Sequence, residues 1–222
     1  MKVSIIITVF NFEDMADKAI QSVLTQDFPK EEMEIIVVND GSTDGTIDVL
    51  NKYSKEIKII NQLNQGAVRA ANIGLENALG EYVIKLDGDD FFEQGILKEL
   101  VSILDKNQNF DFAYSDYYEE INGGRKLVSP ENIFETIGGG VMFRRKRMIE
   151  TGYYNEQLFF PEYALFLKNQ NWRGFHIKTP FYVYCRRSES LTGDHKRVER
   201  GLQQLKDLFP ERADEISKIR SY

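Results

Sequence analysis

Three aspartates lie within four positions at the end of a mostly apolar segment. Asp87, Asp89 and Asp90 follow the run Tyr82–Leu86, which has the composition of a buried strand. Carboxylates this close together repel one another unless a cation shares their charge, and carboxylate oxygen is a preferred ligand of Mg²⁺ and Mn²⁺. Gly88 allows a sharp turn and a close ligand. The spacing indicates a divalent-cation site, whereas a solvated loop with a helix cap is the simpler alternative.

A second polar turn follows another β-branched run. Glu34–Asn39 leads into Asp40, Gly41 and Ser42. A turn followed by a helix cap explains Gly41 and one of the polar residues after it. It does not explain Asp40, because a carboxylate at a strand tip is placed to accept a hydrogen bond from a nucleobase N–H. Contact with a nucleobase is therefore the functional alternative to a turn and helix cap at Asp40.

A third segment, residues 64–82, has the spacing of a helix that leads into a strand. Gly66 is placed to open the helix, and Arg69 falls in its first turn. An arginine there is a potential partner for a diphosphate. An arginine on a solvated helix face is the equally ordinary alternative.

The elements that position these residues alternate between strands and helices in the first half of the chain. Four β-branched runs are separated by segments with helical apolar spacing, which indicates βαβ units and a mostly parallel sheet covered on both faces. The runs are Val3–Thr8, Glu34–Asn39, Ile57–Asn61 and Tyr82–Leu86. All four are followed by polar residues, and ligands of such sheets bind beyond the carboxyl ends of the strands.

The second half is less regular. A hairpin turn is predicted at Asn122–Arg125, and Gly138–Gly140 precede a strand. The predicted strands here are Phe112–Tyr118, Val141–Arg144, Phe175–Thr179 and Tyr182–Cys185; the predicted helices are Pro161 to about Asn171, Lys196–Phe209 and Glu211–Arg220. We predict one α/β domain over 1–222, with a nucleotide-binding half at 1–110, an acceptor half at 111–195 and a helical tail at 196–222.

Composition narrows the class of protein. The 222 residues carry a net charge of −7, which disfavours nucleic acid and acidic membranes as partners. Cys185 is the only cysteine, so no internal disulfide forms and a reducing compartment is expected. The sequence begins without a signal peptide and has no stretch of about 18 apolar residues. We therefore predict a soluble cytoplasmic protein, either free or peripheral at the inner face of the membrane.

Four sequence segments together resemble the inverting family 2 glycosyltransferases, over about residues 3 to 190. They are SIIITVFN, VNDGSTDGT, NQGAVRAANIGLENALGEYVIKLDGDD and GGGVMFRRKRMIETGYYNE. The resemblance implies a GT-A fold, a nucleotide-sugar donor and Mg²⁺ or Mn²⁺. It makes Asp40 the base-contacting acid, Asp87 the acid near the ribose and Asp89 the metal ligand. The remaining donor-binding positions that it implies are Thr8, Phe10, Asn11, Gly41, Ser42, Gly66, Arg69 and Gly88.

Two motifs depart from the family pattern. The first motif usually reads Pro-Val-Tyr-Asn, whereas this chain has Thr8-Val9-Phe10-Asn11. The family commonly carries Glu-Asp at the start of a late helix, with the second acid as catalytic base, and this chain has Pro161-Glu162 there. The resemblance makes Glu162 the base, although Pro then Glu is also a good helix start. Glu156 and Asp194 are the rival bases.

Several other polar residues allow two interpretations. His195 follows a segment that GT-A enzymes often fold back over the donor, where it would complete the metal ligation; a surface histidine is the alternative. His176, in a predicted strand, is interpreted as structural. Arg186 and Arg187 either pair with a diphosphate or flank the tail. The basic cluster Arg144–Arg147 is interpreted as a solvated helix start, with an anionic acceptor as the alternative.

We therefore predict a metal-dependent inverting glycosyltransferase that moves one sugar, from a UDP-sugar first, to a hydroxyl of a glycan, lipid-linked or other acceptor. Trp172 lies outside any Gln-x-x-Arg-Trp signature, which argues against processive synthesis. A nucleotidyltransferase would carry a Gly-rich loop after the first strand, and an Asp-x-Asp phosphatase would carry its aspartates there. A non-catalytic nucleotide-sugar-binding protein is the rival from another class.

Overall fold

A mixed sheet of nine strands runs through the residues that this computed structural model describes, 1–187 and 194–219. The strands are β1 (Val3–Val9), β2 (Met33–Asn39), β3 (Lys58–Asn61), β4 (Tyr82–Asp87), β5 (Phe91–Phe92), β6 (Phe112–Ile121), β7 (Gly124–Val128), β8 (Met142–Arg144) and β9 (Gly174–Cys185). Their order is β3-β2-β1-β4-β8-β6-β9-β5, and β7 pairs with β6. The strands β3, β2, β1 and β4 are mutually parallel, which confirms the predicted βαβ half.

Helices cover both faces of this sheet. They are α1 (Ala16–Leu24), α2 (Thr46–Asn51), α3 (Ala67–Glu76), α4 (Ile96–Lys106), α5 (Arg145–Thr151), α6 (Pro161–Lys168), α7 (His195–Leu208) and α8 (Ala213–Ile216), with 3₁₀ turns at Lys30–Glu32, Ile133–Glu135 and Pro210–Arg212. Alternate residues of β1 pack on opposite sides: Ile5 and Ile7 lie with α1, α2 and α4, whereas Ile6 lies with α3 and α5 to α8. Because both faces are covered, every residue of β1 is buried.

The sheet curls back on itself at the aspartate cluster. Only three residues separate β4 from β5, yet β5 pairs with β9 at the far end of the strand order. Asp90 stabilises this closure: its carboxylate accepts hydrogen bonds from the Tyr182 hydroxyl at 2.6 Å and the Cys185 N–H at 2.8 Å. Burial, together with the neighbouring Asp89 and Asp87, raises the pKa of Asp90 well above its usual range. Two of the three acids therefore remain for a ligand, a correction to the three-carboxylate interpretation.

The second half differs from prediction where strands meet prolines and bulges. The two strands predicted around Pro180 are one, β9, because a register shift at Asp116 places Pro180 where no ladder N–H is needed. The β6–β7 turn is confirmed: Asn122 and Gly123 both have positive φ (50° and 78°), as a two-residue type I′ turn requires. Helix α6 ends earlier than predicted, and the last predicted helix is the single turn α8; its predicted end, Arg220, lies outside the described residues.

Two residues of the basic cluster Arg144–Arg147 hold backbone carbonyls, whereas the Lys146 side chain is 84% exposed, as expected for a solvated helix start. Arg144 donates to the carbonyl oxygens of Leu104 and Phe110 at 2.6 and 2.8 Å, which satisfies the end of α4. Arg145 donates to the Gly80 carbonyl at 2.8 Å. These contacts use the guanidinium groups of Arg144 and Arg145 to hold backbone, so these two residues are structural.

Candidate active site

The carboxyl ends of β1, β2 and β4 bring the predicted donor residues to one edge of the sheet. In the register of these strands, Val9 lies opposite Asn39 and Thr8 opposite Asp87. The Asp40 N–H donates to the Val9 carbonyl at 2.9 Å, and the Gly88 N–H donates to the Thr8 carbonyl at 3.0 Å. The first motif, the Asp40 turn and the aspartate cluster therefore lie side by side, as the sequence predicts.

The loops after β1 and β2 are hydrogen-bonded into one unit. Asn11, in a left-handed conformation with φ 54°, accepts from the Thr43 N–H at 2.8 Å and donates its own N–H to the Ser42 hydroxyl at 3.0 Å. The Phe12 N–H donates to the Thr46 hydroxyl at 2.8 Å. Phe10, between them and β1, is 41% exposed. The departure from the family's first motif thus leaves a rigid loop with an exposed ring.

Asp40 orders the loop that leads into α3. Its carboxylate is buried and accepts from the Gln62 side-chain amide at 2.6 Å, the Gln65 N–H at 2.8 Å and the Gly66 N–H at 2.9 Å. Gly66 has φ 94° and begins α3, as predicted. A carboxylate oxygen accepts up to two hydrogen bonds, and Oδ2 has a single one of these donors. Contact with a nucleobase stays a prediction, and this oxygen is where it would occur.

Lys85, which is absent from the predicted site, joins two of the predicted site residues. The Lys85 ammonium lies 3.1 and 3.2 Å from the two carboxylate oxygens of Asp87 and 3.3 Å from Oε1 of Glu162. Burial by itself would lower the pKa of Lys85, but the charges of Asp87 and Glu162 outweigh it, and the pKa is raised. The sequence carried a signal: Lys85 interrupts a buried apolar strand, two positions before Asp87 and so on the same face.

Helix α6 and the Gly-rich segment before β8 place Glu162. Pro161 occupies the first turn of α6, with Glu162 next to it, as the sequence predicts. The Gly140 N–H donates to the Lys85 carbonyl at 2.9 Å, which holds the segment along β4. A Cβ atom on Gly138 would lie 2.8 Å from Cδ and Oε1 of Glu162. The longer side chain of glutamate, compared with the family's aspartate, therefore occupies space that glycine leaves free.

Asp89 lies against a guanidinium. Arg187 donates to Oδ2 of Asp89 at 2.5 and 3.1 Å and also lies over the ring of Phe12, 4.9 Å from its centroid. Burial raises the pKa of Asp89, as does the charge of Asp87, although Arg187 opposes both. The hydrogen bond shows that Arg187 reaches the aspartate cluster; the segment 188–193 that follows lies outside the described residues.

Asp89 offers carboxylate oxygen, the ligand type that Mg²⁺ and Mn²⁺ prefer, and its role as metal ligand stays a prediction. Mg²⁺ and Mn²⁺ sites in nucleotide-binding proteins use one or two carboxylates together with substrate phosphates and water. Within 1–187 and 194–219, no group of three or more His, Cys, Asp or Glu side chains is placed to hold a metal. His195 is exposed at the start of α7, beside the capping residue Asp194. Metal ligation by His195 stays a prediction.

Arg69 is engaged elsewhere on α3. Its guanidinium lies 3.1 Å from a carboxylate oxygen of Glu76 and 3.1 Å from one of Glu156. Glu156 also accepts from the Asn72 side-chain amide at 2.9 Å, and this hydrogen bond, with those from Arg69, lowers the pKa of Glu156. The predicted diphosphate contact of Arg69 and the rival role of Glu156 as base stay predictions, and both residues are used here to join α3 to the segment before α6.

His176 is structural, as interpreted from the sequence. Its ring stacks on Tyr114 with centroids 4.7 Å apart, and Nε2 lies 2.7 Å from Oδ1 of Asp116. Asp116 also accepts from the Ser129 hydroxyl at 2.8 Å. These contacts join β6, β9 and the segment after β7.

Sequence comparison decides the family. Residues 4–175 match the family model described as Glycosyl transferase family 2. The chain belongs to glycosyl transferase family 2. This family 2 member is 34% identical over 155 residues to the poly(ribitol-phosphate) beta-N-acetylglucosaminyltransferase TarS of Staphylococcus aureus, a match that covers 68% of this chain and 26% of TarS. It is 38% identical over 135 residues to the cholesterol galactosyltransferase of Borreliella burgdorferi, covering 58% of this chain and 37% of that protein.

Solved structures agree on the fold. Residues 1–349 of S. aureus TarS in complex with UDP-GlcNAc superpose with a TM-score of 0.76 at 22% identity, covering 93% of this chain and 66% of that one. A mannosyltransferase from Pyrobaculum calidifontis, in complex with GDP-Man and Mn²⁺, gives 0.77 at 15% identity, covering 98% and 68%. The fold of this family 2 member is therefore GT-A, as predicted.

The matched region is only part of the curated relatives. The matches cover 26% of TarS and 37% of the galactosyltransferase. In the described part of the chain, no helix has both the length and the apolar character needed to cross a bilayer.

Proposed function

We propose that this family 2 member transfers one sugar from a nucleoside diphosphate sugar to an acceptor hydroxyl, with inversion at the anomeric carbon and with UDP-sugars as preferred donors. One observation carries the proposal. A single ammonium, that of Lys85, lies 3.1 Å from Asp87 on the donor edge and 3.3 Å from Glu162 on α6. A donor-binding acid and a potential base therefore face the same small volume.

The donor would lie along the carboxyl ends of β1, β2 and β4. Asp40 would accept from the base through Oδ2, with the Phe10 ring and the loop of Asn11 and Ser42 beside it. Asp87, at the end of β4 and partly exposed, would accept from ribose hydroxyls. Asp40, Asn11 and Asp87 are held by strand register or by backbone hydrogen bonds, so little ordering of these side chains is left to occur on binding.

Asp89 would hold the Mg²⁺ or Mn²⁺ ion, together with oxygens of the donor diphosphate. When bound, such an ion neutralises the charge that develops on the leaving diphosphate. Arg187 already donates to Asp89, so its guanidinium would lie near a diphosphate bound there. Support for a metal comes from the carboxylate donor chemistry and from the Mn²⁺ in the mannosyltransferase of similar fold.

Glu162 would accept the proton of the acceptor hydroxyl while its oxygen attacks the anomeric carbon from the face opposite the diphosphate. The start of α6 and the Lys85 ammonium both place positive potential at this carboxylate. The named relatives transfer sugars to acceptors as different as poly(ribitol phosphate) and cholesterol. A hydroxyl is what these acceptors share, so we propose a hydroxyl acceptor without assigning its carrier.

Two measurements test this function in sequence. Thermal-shift screening of UDP, GDP and ADP and their sugars, with Mn²⁺ or a chelator and with uridine as control, identifies the donor, because a ligand of the folded state raises apparent stability. NMR of the product formed from the best donor then reports transfer and the anomer. We expect metal-dependent stabilisation by a UDP-sugar and an inverted product. Donor binding without turnover on a panel of hydroxyl acceptors would favour the non-catalytic alternative.

A further inference from the structure

Lys85 lies in a strand whose other residues are mostly apolar and buried, so an apolar residue is expected at its position. Its neighbours Ile84 and Leu86 are buried in the core on one face of the sheet. Val83 lies two residues before Lys85 and therefore on the same face of the sheet as Lys85. It packs with the apolar residues beneath α6. The Lys85 side chain itself is only 14% exposed. Burying an ammonium costs several kcal/mol unless it is paired, so its two carboxylate partners account for its retention in the folded protein.

Those two partners come from different parts of the site. Asp87 is on the same strand and the same face as Lys85, whereas Glu162 is on α6, 77 residues away. Lys85 is the cation that the described structure places on Glu162. Tyr154 faces Lys85 and Glu162, and Asp89, Asp90 and Tyr182 interact electrostatically with Asp87. Tyr154 is buried, and burial followed by the charge of Glu162 raises its pKa. The groups around Glu162 are thus Lys85, Asp87 and Tyr154, with Gly138 leaving space beside the carboxyl.

We propose that Lys85 is a positioning residue, whose ammonium fixes the Glu162 carboxylate beside Asp87 and sets the lower pH limit of sugar transfer. This inference rests on the proposed function, in which Glu162 accepts the acceptor proton. An ammonium 3.3 Å from a carboxylate favours its charged form. It also restricts where the carboxylate lies, because the same ammonium is held by both oxygens of Asp87.

Two neutral variants and one charged variant separate these effects. Lys85→Met removes the charge at similar volume, and Lys85→Gln removes it while keeping hydrogen-bond donors. In both, the acid limb of the kcat profile should move up by about one pH unit or more, and kcat at neutral pH should fall roughly tenfold to a hundredfold. Lys85→Arg keeps the charge and should keep the acid limb at its wild-type pH.

Lys98→Met is the matched control for net charge. Lys98 is exposed and paired with Asp27, so its removal changes the charge of the protein by the same unit without touching the cluster. Its acid limb and kcat should match wild type. All profiles are measured at one fixed Mn²⁺ concentration and with saturating donor.

A second readout does not depend on activity. Protein labelled with ¹³C at the glutamate carboxyl carbons gives one signal for Glu162, assigned by its absence in Glu162→Gln. The midpoint of its pH titration should rise by about one unit or more in Lys85→Met and Lys85→Gln, and stay unchanged in Lys98→Met. If wild type transfers no sugar, the proposed function fails, and this titration still decides the role of Lys85.

The inference is overturned if the neutral variants fold and leave both the titration midpoint and the acid limb at their wild-type values. Lower stability without either shift would make Lys85 a structural residue only. If Lys85→Met does not fold, Lys85→Gln decides in the same way, because its amide keeps N–H donors near the end of the original side chain.

Discussion

Replacing Gly138 by alanine should disable Glu162 without unfolding the protein. The new Cβ atom would lie 2.8 Å from the carboxyl carbon and Oε1 of Glu162, whereas non-bonded carbons prefer about 3.5–4.0 Å. Gly138 does not have a positive φ, so alanine introduces no backbone strain. The atoms it meets are the far end of a flexible side chain. The Glu162 carboxylate therefore yields, by roughly 1 Å.

A displacement of roughly 1 Å at a reacting group costs about 10²-fold in rate. We expect Gly138→Ala to lower kcat by about that factor, to keep the dissociation constant of the donor, and to change the free energy of unfolding by less than about 1 kcal/mol. Steady-state kinetics, calorimetry with UDP and urea unfolding measure the three quantities. Wild-type kcat in Gly138→Ala would refute the assignment of this space to the base.

Two other glycines serve as comparisons. A Cβ on Gly124, in the β6–β7 hairpin, would meet nothing closer than the Ile121 carbonyl oxygen at 3.4 Å, so Gly124→Ala should leave kcat unchanged. A Cβ on Gly139 would lie 2.3 Å from the Tyr182 hydroxyl, so Gly139→Ala should lower stability instead. In a Glu162→Asp background the carboxyl is retracted, and the effect of Gly138→Ala on kcat should shrink. A constant effect in both backgrounds would show that the two residues do not couple.

Three further predictions concern the metal, the nucleobase of the donor and the pH dependence of stability. Wild type should bind UDP more tightly with Mn²⁺ than with a chelator, and Asp89→Ala should lose this difference. If Mn²⁺ leaves the UDP affinity of both wild type and the variant unchanged, the metal assignment is wrong. Asp40 can accept a hydrogen bond from the N3–H of uracil, and adenine has no such imino donor. Calorimetry with Mn²⁺ should therefore give tighter binding of UDP than of ADP, and tighter binding of ADP would contradict the nucleobase contact of Asp40. Because hydrogen bonds from Asn72 and Arg69 lower the pKa of Glu156, its stabilising contribution is present above its ordinary value of about 4.3 and lost as pH falls. Glu156→Gln should therefore have a lower free energy of unfolding than wild type at pH 7, and this deficit should shrink as the pH is lowered toward 3; an equal deficit at both pH values contradicts the linkage.

The first half of the fold was predictable because its strands and helices are specified by sequence patterns within short segments. Strand and helix periods alternate, and parallel βαβ units bring the ends of β1, β2 and β4 together whatever the rest of the chain does. Gly66 at the start of α3 and the Asn122–Gly123 turn were predictable for the same reason, since each depends on the conformation of one or two residues. The positions of Asp40 and Asp87 at strand ends follow from this strand order, whereas the proposed roles of Asp40, Asp87 and Glu162 rest on the resemblance to family 2.

The sequence predictions that were wrong concern residues whose roles depend on contacts between distant segments. Asp90 looks like its neighbour Asp89 in the sequence, and only the return of β9 makes it a buried acceptor for Tyr182. In the sequence Arg144 belongs to a basic cluster, and only the position of α4 shows that its guanidinium donates to the Leu104 carbonyl. Pro180 ends a strand by its local chemistry, but the irregular pairing of β9 with Ser115–Tyr117 of β6 removes the need for its N–H.

The central claim is that this family 2 member transfers a sugar with Glu162 as the base, and Glu162→Gln tests it most directly. The change keeps the size of the side chain and removes its basicity, while Asp40, Asp87 and Asp89 remain to bind the donor. Turnover is measured with a saturating UDP-sugar, Mn²⁺ and the acceptor, beside calorimetry of donor binding. We predict an unchanged donor dissociation constant and a kcat lower by about 10² to 10⁴. Near wild-type kcat in Glu162→Gln would contradict the claim and leave Glu156 and Asp194 as the positions at which to seek the base.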